Sequence, residues 1–552
     1  MKTYNRISLF LITALVLLSS CSDSFLDVYP QDIMMSPTYF NTDAEVLSTT
    51  SVLYTKPWFE GELNAAMWIG DSRAGVAVNT EPPGLRHLWL NTNTATGQDI
   101  EYLWRATYAV NTLSLATKEN VEKYCKSAVS QTVKDQAIGE CHFMSSIAYF
   151  NLVCIYGDVP VIDNIFSSLG KSSRLNTRET VWEYLINEME LAEKLLPSKV
   201  DKGRVSKWAA KAYLSRFYLY FASFKSVGGV RDQVYLDKAK VVAKEVIDSK
   251  EYALMSDYED LFKSKNDNNI ESIFALQWKY GAGYGYENVF QSYYAFGPSI
   301  TGVGNGYGAG HGATYYILNK FITRKEKSRC RATYFMNGQE YSYLHQIVQV
   351  NGVNTEVPLK YVNTDKGGYH IKKYVVGLAS DNNGEVGATG TGNNTYKMRY
   401  AEVLLNYAEA ILGNNTLTTD VAALDAFNQV RKRAGIAIAT EITPATLYEE
   451  REMEFTQERI LWYEIIKRYY VEPQKTLDFL NDQNRTYSFK VTTINATTFD
   501  YTIMSNTDRY ISGPNESGSP VNGSRIFLPV PEYEKSMDPG LALEPVPYIV
   551  KK

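Results

Sequence analysis

The stretch Gly139–Ile162, GECHFMSSIAYFNLVCIYGDVPVI, decides how this chain folds. Together with Ala137 just upstream, Cys141, Met144, Ala148, Leu152 and Ile155 form one apolar stripe in steps of three and four. Phe143, Ile147, Phe150 and Cys154 form a second. A helix that is apolar around most of its circumference must be covered by other helices rather than by water. Gly157 can turn left-handed and Pro160 forbids further helix, so the spacing predicts a sharp stop.

The neighbouring segments supply the cover. Asn41-Thr42-Asp43 can cap a helix from Ala44 to about Tyr54, and a second is predicted from Gly97 to Thr117 with Trp104 and Tyr108 on one face. After the central helix come three amphipathic stretches, Val181–Leu196, Lys207–Ala222 and Leu236–Ser249. Paired helices spaced by roughly 30 to 40 residues suggest tetratricopeptide-like hairpins. Helical pattern returns at Tyr396, where Tyr400, Val403, Leu404, Tyr407 and Ile411 face Val421, Leu424, Phe427 and Val430 across a short link. One further helix is predicted from Leu447 to Tyr469.

Between these runs the period fades. Trp58–Asn93 reads as loop, with turn signals at Gly70-Asp71-Ser72-Arg73 and Pro82-Pro83-Gly84. From Gln277 to about Thr395 glycine and tyrosine dominate, most densely in Lys279–Tyr316. There only Ala313–Thr323 looks helical, and Ile347–Val362 and Tyr369–Tyr374 read as short strands. The fold class is therefore mainly α: four tetratricopeptide-like hairpins form a scaffold, and a loop-rich variable region carries a few short strands.

The chain has 552 residues, 45% hydrophobic and 21% charged, the composition of an ordinary globular protein. A net charge of -5 with no concentrated basic face excludes nucleic acid as a partner. Tyrosine is abundant, 42 against 22 Phe and 8 Trp, and its ring and hydroxyl suit both helix packing and polar ligands with an apolar face. The start is a targeting segment: Lys2 and Arg6, an apolar run Ile7–Leu18 too short to span a membrane, then Leu18-Ser19-Ser20-Cys21. The last four resemble a bacterial lipoprotein cleavage box, which makes Cys21 the lipid-bearing residue; the alternative is an ordinary secretory signal with a chance cysteine. Cys141 and Cys154 are separated by about 20 Å of helix and cannot bridge, so Cys125, Cys141, Cys154 and Cys330 read as free thiols.

Several blocks in the same order resemble the SusD/RagB family of outer-membrane nutrient-binding lipoproteins. They are the aromatic helix ending Tyr156-Gly157-Asp158-Val159-Pro160; Gly203–Ala210 leading into Leu214–Tyr220; Ala243–Phe262 followed by Glu271-Ser272-Ile273-Phe274; Met398–Ala410 with Asn428–Gly435; Glu452–Phe455 with Glu458-Arg459; and Leu528-Pro529-Val530-Pro531 with Asp538-Pro539-Gly540-Leu541. The chain departs from the family at His142 and Ser145, where many members carry Arg. By this resemblance the chain divides into a signal peptide (1–20), an N-terminal helical region (21–265), a variable ligand-binding region (266–395), a C-terminal helical hairpin and helix (396–470) and a loop-rich tail (471–552). The resemblance further implies a cell-surface binder, anchored in the outer membrane through Cys21, that captures glycans and passes them to a SusC-like TonB-dependent transporter.

Chemistry on the chain itself is sparse. A glycosidase needs two carboxylates facing each other across about 5 to 9.5 Å. The densest acids, Glu449, Glu450, Glu452 and Glu454, read better as solvated charges at the positive end of a helix, with Lys467 and Arg468 at its other end. The five histidines, at 87, 142, 311, 345 and 370, show no metal spacing, and the Gly302–Gly312 run lacks the Gly-Lys-Ser/Thr ending of a phosphate loop. No cofactor and no catalytic residue is expected. For a sugar, with its apolar face and hydroxyl rim, a receptor needs flat aromatic walls and planar donors and acceptors. Tyr280, Tyr284, Tyr286 and Tyr307 supply walls, with Asn305 and His311 as polar partners; Asp71 and Arg73 are either polar contacts or a structural pair. Asn305-Gly306-Tyr307 falls about where the family's starch-binding archetype has a loop tryptophan, whereas Ala74–Leu85 carries no aromatic residue. Oligopeptides are the alternative ligand, and a glycoside hydrolase the third reading.

Overall fold

The computed structural model describes residues 39–550 except 67, 80–85, 93, 166–171, 303–310, 363–368, 388, 488 and 506–519. The signal segment, Cys21, Asn305 and Tyr307 lie outside the described residues.

Ten helices form the scaffold. α1 spans Asp43–Ser51, where the Thr42 hydroxyl accepts from the Glu45 N–H and the Glu45 carboxylate reaches back to the Thr42 N–H. α2 is Gln98–Tyr124 and α3 is Gln131–Ile155, opened by Ser130 as its cap. α4 is Arg178–Leu195, α5 Lys207–Phe224 and α6 Gln233–Ser249. After a long insertion come α7 Tyr400–Leu412, α8 Val421–Ala434, α9 Pro444–Phe455 and α10 Leu461–Val471. Consecutive helices from α1 to α8 pack on one another, α6 meeting α7 across the insertion, whereas α9 packs back on α7 and α10 on α5 and α3. Short links join α2 to α3, α4 to α5 and on to α6, and α7 to α8, giving the tetratricopeptide-like stack that the apolar stripes require.

α3 is the centre of that stack. It is long and apolar enough to cross a membrane, yet 89% of its most apolar window is buried inside the fold, as expected of a core helix. Phe150 stacks on Phe217 of α5 and Tyr463 of α10, with ring centroids 5.1 and 5.4 Å apart, and meets Trp182 of α4 edge-on. Phe143 meets Tyr213 and Phe274 edge-on, so the second stripe is covered as well. Polar groups on this helix find partners: Ser145 donates to Asn111 and His142 Nδ1 lies 2.7 Å from Glu188, at the two positions that depart from the family pattern.

The described strands pair antiparallel in four two-stranded sheets: β1 (Ala77–Asn79) with β3 (His311–Ala313), β2 (Ser272–Leu276) with β6 (Thr395–Arg399), β4 (Glu340–Val350) with β5 (Val353–Lys360), and β7 (Phe489–Asn495) with β8 (Asp500–Ser505). The β2–β6 pair is the neck of the insertion. It places Phe274 opposite Met398 and Leu276 opposite Thr395, so the loops between them leave and rejoin the scaffold at one point.

Several elements differ from expectation. The run from Tyr396 begins as strand β6 and becomes helical only at Tyr400, because the neck uses its first residues. The strand pair begins at Glu340, upstream of Ile347, and of Tyr369–Tyr374 only Ile371 makes a bridge, to Tyr334. The helix expected over Leu447–Tyr469 is two helices. Between them Gln457 and Arg459 take positive φ, 66° each, without being glycine. The reason is tertiary: the Asp71 carboxylate accepts the Arg459 N–H at 3.0 Å, and Gly70 packs directly on the Arg459 backbone.

Glu450, Glu452 and Glu454 are buried, not solvated. Glu454 lies 3.0 Å from both Arg399 and Arg329 and also pairs with Arg433; Glu450 pairs with Arg329 and Arg431, and Glu452 with Lys320. Burial alone would raise the Glu454 carboxyl, but Arg433, Arg329 and Arg399 hold it down at about 2. Only Glu449 is part exposed, paired with Arg324. Lys467 does not sit at the far end of the same helix; it lies on α10, bound to Glu409 and Glu464.

Candidate ligand-binding site

The chain leaves β2 at Leu276 and runs at once into KYGAGYGYE, residues 279–287. Lys279 N–H donates to the Tyr286 carbonyl at 2.7 Å and Tyr286 N–H to the Gly283 carbonyl at 3.1 Å, which closes the segment into a compact loop. Gly283 and Gly285 have φ of +92° and +93°, which a side chain rarely adopts, and Gly285 lies against the Lys56 side chain, where a Cβ would collide. Glycine here lets the loop double back with its tyrosines turned outward.

Tyr284 is 71% exposed. Its ring sits edge-on to Phe59 at 4.8 Å, its hydroxyl lies 3.4 Å from Glu60, and its carbonyl accepts the Lys56 ammonium at 3.1 Å. The same ammonium stands 5.7 Å from the centre of the Tyr284 ring and 5.4 Å from that of the half-buried Tyr286. Tyr280, 36% exposed, borders Gly387, where a Cβ would meet its ring. Partial burial raises the Tyr284 hydroxyl pKa above its usual value, helped by Glu60 and then by Tyr293 and Tyr102.

His311 lies deeper, 5% exposed, on β3. Its ring stacks on Trp68 at 4.9 Å and meets the edge of Tyr293 at 5.7 Å. Burial lowers its pKa to about 4, so it is neutral at physiological pH, and its Nδ1 has no hydrogen-bond partner among the described residues. Tyr293 thus connects the tyrosine loop to His311.

Asp71 and Arg73 do not join this surface; both are fully enclosed. Asp71 holds the Arg459 backbone, and burial pushes its carboxyl up to about 7 against the pull of Arg459. Arg73 donates to Asn91 at 3.0 Å and to the Arg525 carbonyl at 2.5 Å, with its guanidinium 3.9 Å over the Trp462 ring. Of the two alternatives the structural one therefore fits, and it is met by separate partners rather than by a mutual pair. What sequence reading missed is the other half of the surface: Lys56, Phe59, Glu60, Trp68 and Tyr102 come from positions more than 170 residues earlier. The aromatic-charged run KPWFE at 56–60 was their one visible signal.

Among the described residues no group of three or more His, Cys, Asp or Glu is placed to hold a metal ion. The acids on the exposed surface, Glu60 and Glu287, are tied to the Tyr284 hydroxyl and the Gly281 N–H. The arrangement offers flat rings, one ammonium and carboxylate acceptors, which is binding chemistry.

Over residues 270–545 the chain matches the sequence profile described as the SusD family, and over 24–219 one described as starch-binding and associating with the outer membrane. It is 32% identical over 99% of both chains to a SusD-like protein from Bacteroides ovatus. The chain belongs to the SusD family. A solved structure described as a crystal structure with xylogluco-oligosaccharide is 30% identical, with a TM-score of 0.81 over 92% of this chain and 100% of that one. A second crystal structure, also 30% identical, superposes with a TM-score of 0.83 over 93% of this chain. The SusD-family frame is thus the helical stack, and the tyrosine loop lies in its long insertion.

Proposed function

We propose that the protein is a non-catalytic, cell-surface glycan-binding lipoprotein. It captures oligo- or polysaccharide on the tyrosine loop and delivers it to a SusC-like TonB-dependent transporter in the outer membrane, to which Cys21 tethers it. The observation that carries the reading is Tyr284: a large aromatic ring left 71% exposed, yet fixed by Phe59 beneath it and Lys56 behind it. An exposed ring ordered at this cost in entropy suits stacking on the C–H face of a sugar. Tyr280 and Tyr286, with Tyr102 and Tyr293, extend the wall, and Lys56 and Glu60 supply a donor and an acceptor for hydroxyls. The family relationship and the relative solved with xylogluco-oligosaccharide support a sugar as the ligand. Asn305, Tyr307 and His311 are proposed as further ligand contacts.

Affinity electrophoresis tests this. Wild-type protein should be retarded in gels loaded with the right plant or microbial polysaccharide, and Tyr284→Ala should migrate freely in the same gel. No shortened chains should appear after prolonged incubation; their appearance would favour an enzyme. Retention of oligopeptides with indifference to every glycan would replace sugar by peptide as the cargo.

A further inference from the structure

A second cleft, of about 450 Å³, opens on the scaffold side of the neck. The α4–α5 link, the start of α5, Glu251–Tyr252 and the outer side of β2 line it. We propose that this cleft is a second carbohydrate subsite that lengthens the ligand path beginning at the tyrosine loop; the proposal rests on the glycan-binding reading above.

The cleft has the two features that sugar recognition needs. Trp208 and Tyr252, both half-buried, contribute aromatic surface over a floor of buried Ile273 and Ala275. Tyr252 is held in place, its hydroxyl 3.3 Å from Ser206 and its ring stacked on Tyr400. The Trp208 indole N–H is itself buried and has no hydrogen-bond partner among the described residues, so Trp208 offers the cleft apolar ring surface rather than a donor. At the rim stand two exposed lysines, Lys199 and Lys202, and two exposed acids, Asp201 and Glu251. These four charges cancel, and Arg204, which also lines the cleft, is paired with the buried Glu140, so the cleft selects neither an anion nor a cation and fits an uncharged polyhydroxyl ligand. The size lies within the usual range for a small-molecule site.

The cleft is also joined to the tyrosine loop. Asn268, on its wall, exchanges two side-chain hydrogen bonds with Gln277, at 2.9 and 3.0 Å. Gln277 is followed by Trp278, Lys279 and Tyr280. Ala275 in the cleft and Tyr280 in the loop are five residues apart, at most about 17 Å of extended chain. A separation of that order is within the span of a short oligosaccharide.

Calorimetric titration with neutral xylogluco-, cello-, manno- and malto-oligosaccharides, each in a short and a long form, tests this on the full mature protein. For the glycan bound by wild type, Trp208→Ala should weaken the long form by about 3- to 10-fold and leave the short form unchanged. Trp208→Phe, which keeps a ring, should fall between, and Tyr284→Ala should weaken both lengths. If Trp208→Ala binds the long form like wild type while Tyr284→Ala does not, the second subsite is refuted and the tyrosine loop stands alone. If Trp208→Ala weakens both lengths alike and lowers the melting temperature, Trp208 is structural and the proposal falls. If wild type binds none of these sugars, both readings fall together; loss of oligopeptide binding in Trp208→Ala would reassign the cleft to peptides.

Discussion

Tyr284 and His311 carry opposite commitments, one on the surface and one beneath it. Tyr284 contributes little to stability, since most of its ring faces solvent, so Tyr284→Ala should change the unfolding free energy by no more than about 0.5 kcal/mol while abolishing retention on glycan gels. His311 is the reverse, a neutral ring packed between Trp68 and Tyr293. Its folded pKa of about 4 lies below the ordinary value of 6.5, so as pH falls the unfolded chain takes up the proton first. The stability contributed by the neutral ring is complete above pH 6.5 and drains away between 6.5 and 4, by up to about 3 kcal/mol. His370, also held near 4 by burial, adds a slope of the same sign, so the test is a difference. Urea titrations of wild type and His311→Phe at pH 7 and pH 4.5 should show a clearly smaller acid loss in the variant; equal losses would mean that His311 already titrates normally. None of this was readable at residue scale, because a histidine in a glycine-tyrosine loop gives no hint that Trp68, more than two hundred positions upstream, closes over it.

At the scale of elements, periodicity reported what neighbours in sequence determine and missed what distant partners impose. The two stripes of α3 predicted cover on both faces, and α4, α5, α10 and β2 provide it. The interruption between α9 and α10 was invisible, since it depends on Asp71 gripping Arg459 across 388 positions. The acids of α9 were misread for the same reason: their cations, Arg329, Arg399 and Arg433, come from outside the helix. Arg399 shows what this cluster is worth. It contacts Glu271, Glu454 and Glu458, all buried. Arg399→Met removes the cation the three carboxylates share and leaves them only Arg433, Arg329 and Lys373, an excess of buried negative charge for which breaking a buried pair suggests a loss of about 3 to 5 kcal/mol. Equilibrium urea unfolding should show that loss as a lower midpoint. Adding Glu271→Gln to the same chain should recover part of it, because the excess negative charge leaves while Arg433 keeps Glu454 as its partner; a double variant weaker than the single would argue against this account.

At the scale of the whole molecule, the scaffold and the insertion divide the work. The neck, where β2 and β6 pair, lets the loops vary without disturbing the helices, so the fold was legible in the sequence while the ligand was not. The proposed tether adds a further constraint. A capture protein that serves one transporter gains by being held beside it, because linkage replaces a bimolecular encounter with a local one at high effective concentration. Lipid at Cys21 would supply that confinement, and several acyl chains hold stably where one is marginal. Cys21→Ser should therefore leave folding and gel retention of the purified protein untouched, since the tether acts on location alone. In cells it should move the protein from the membrane fraction to a soluble one and abolish its detection by antibody on intact cells. Growth on the cognate glycan should then fall at low concentration and recover at high concentration, where capture no longer limits uptake. A Cys21→Ser protein that stays in the membrane fraction and remains surface-labelled would show that the tether lies elsewhere.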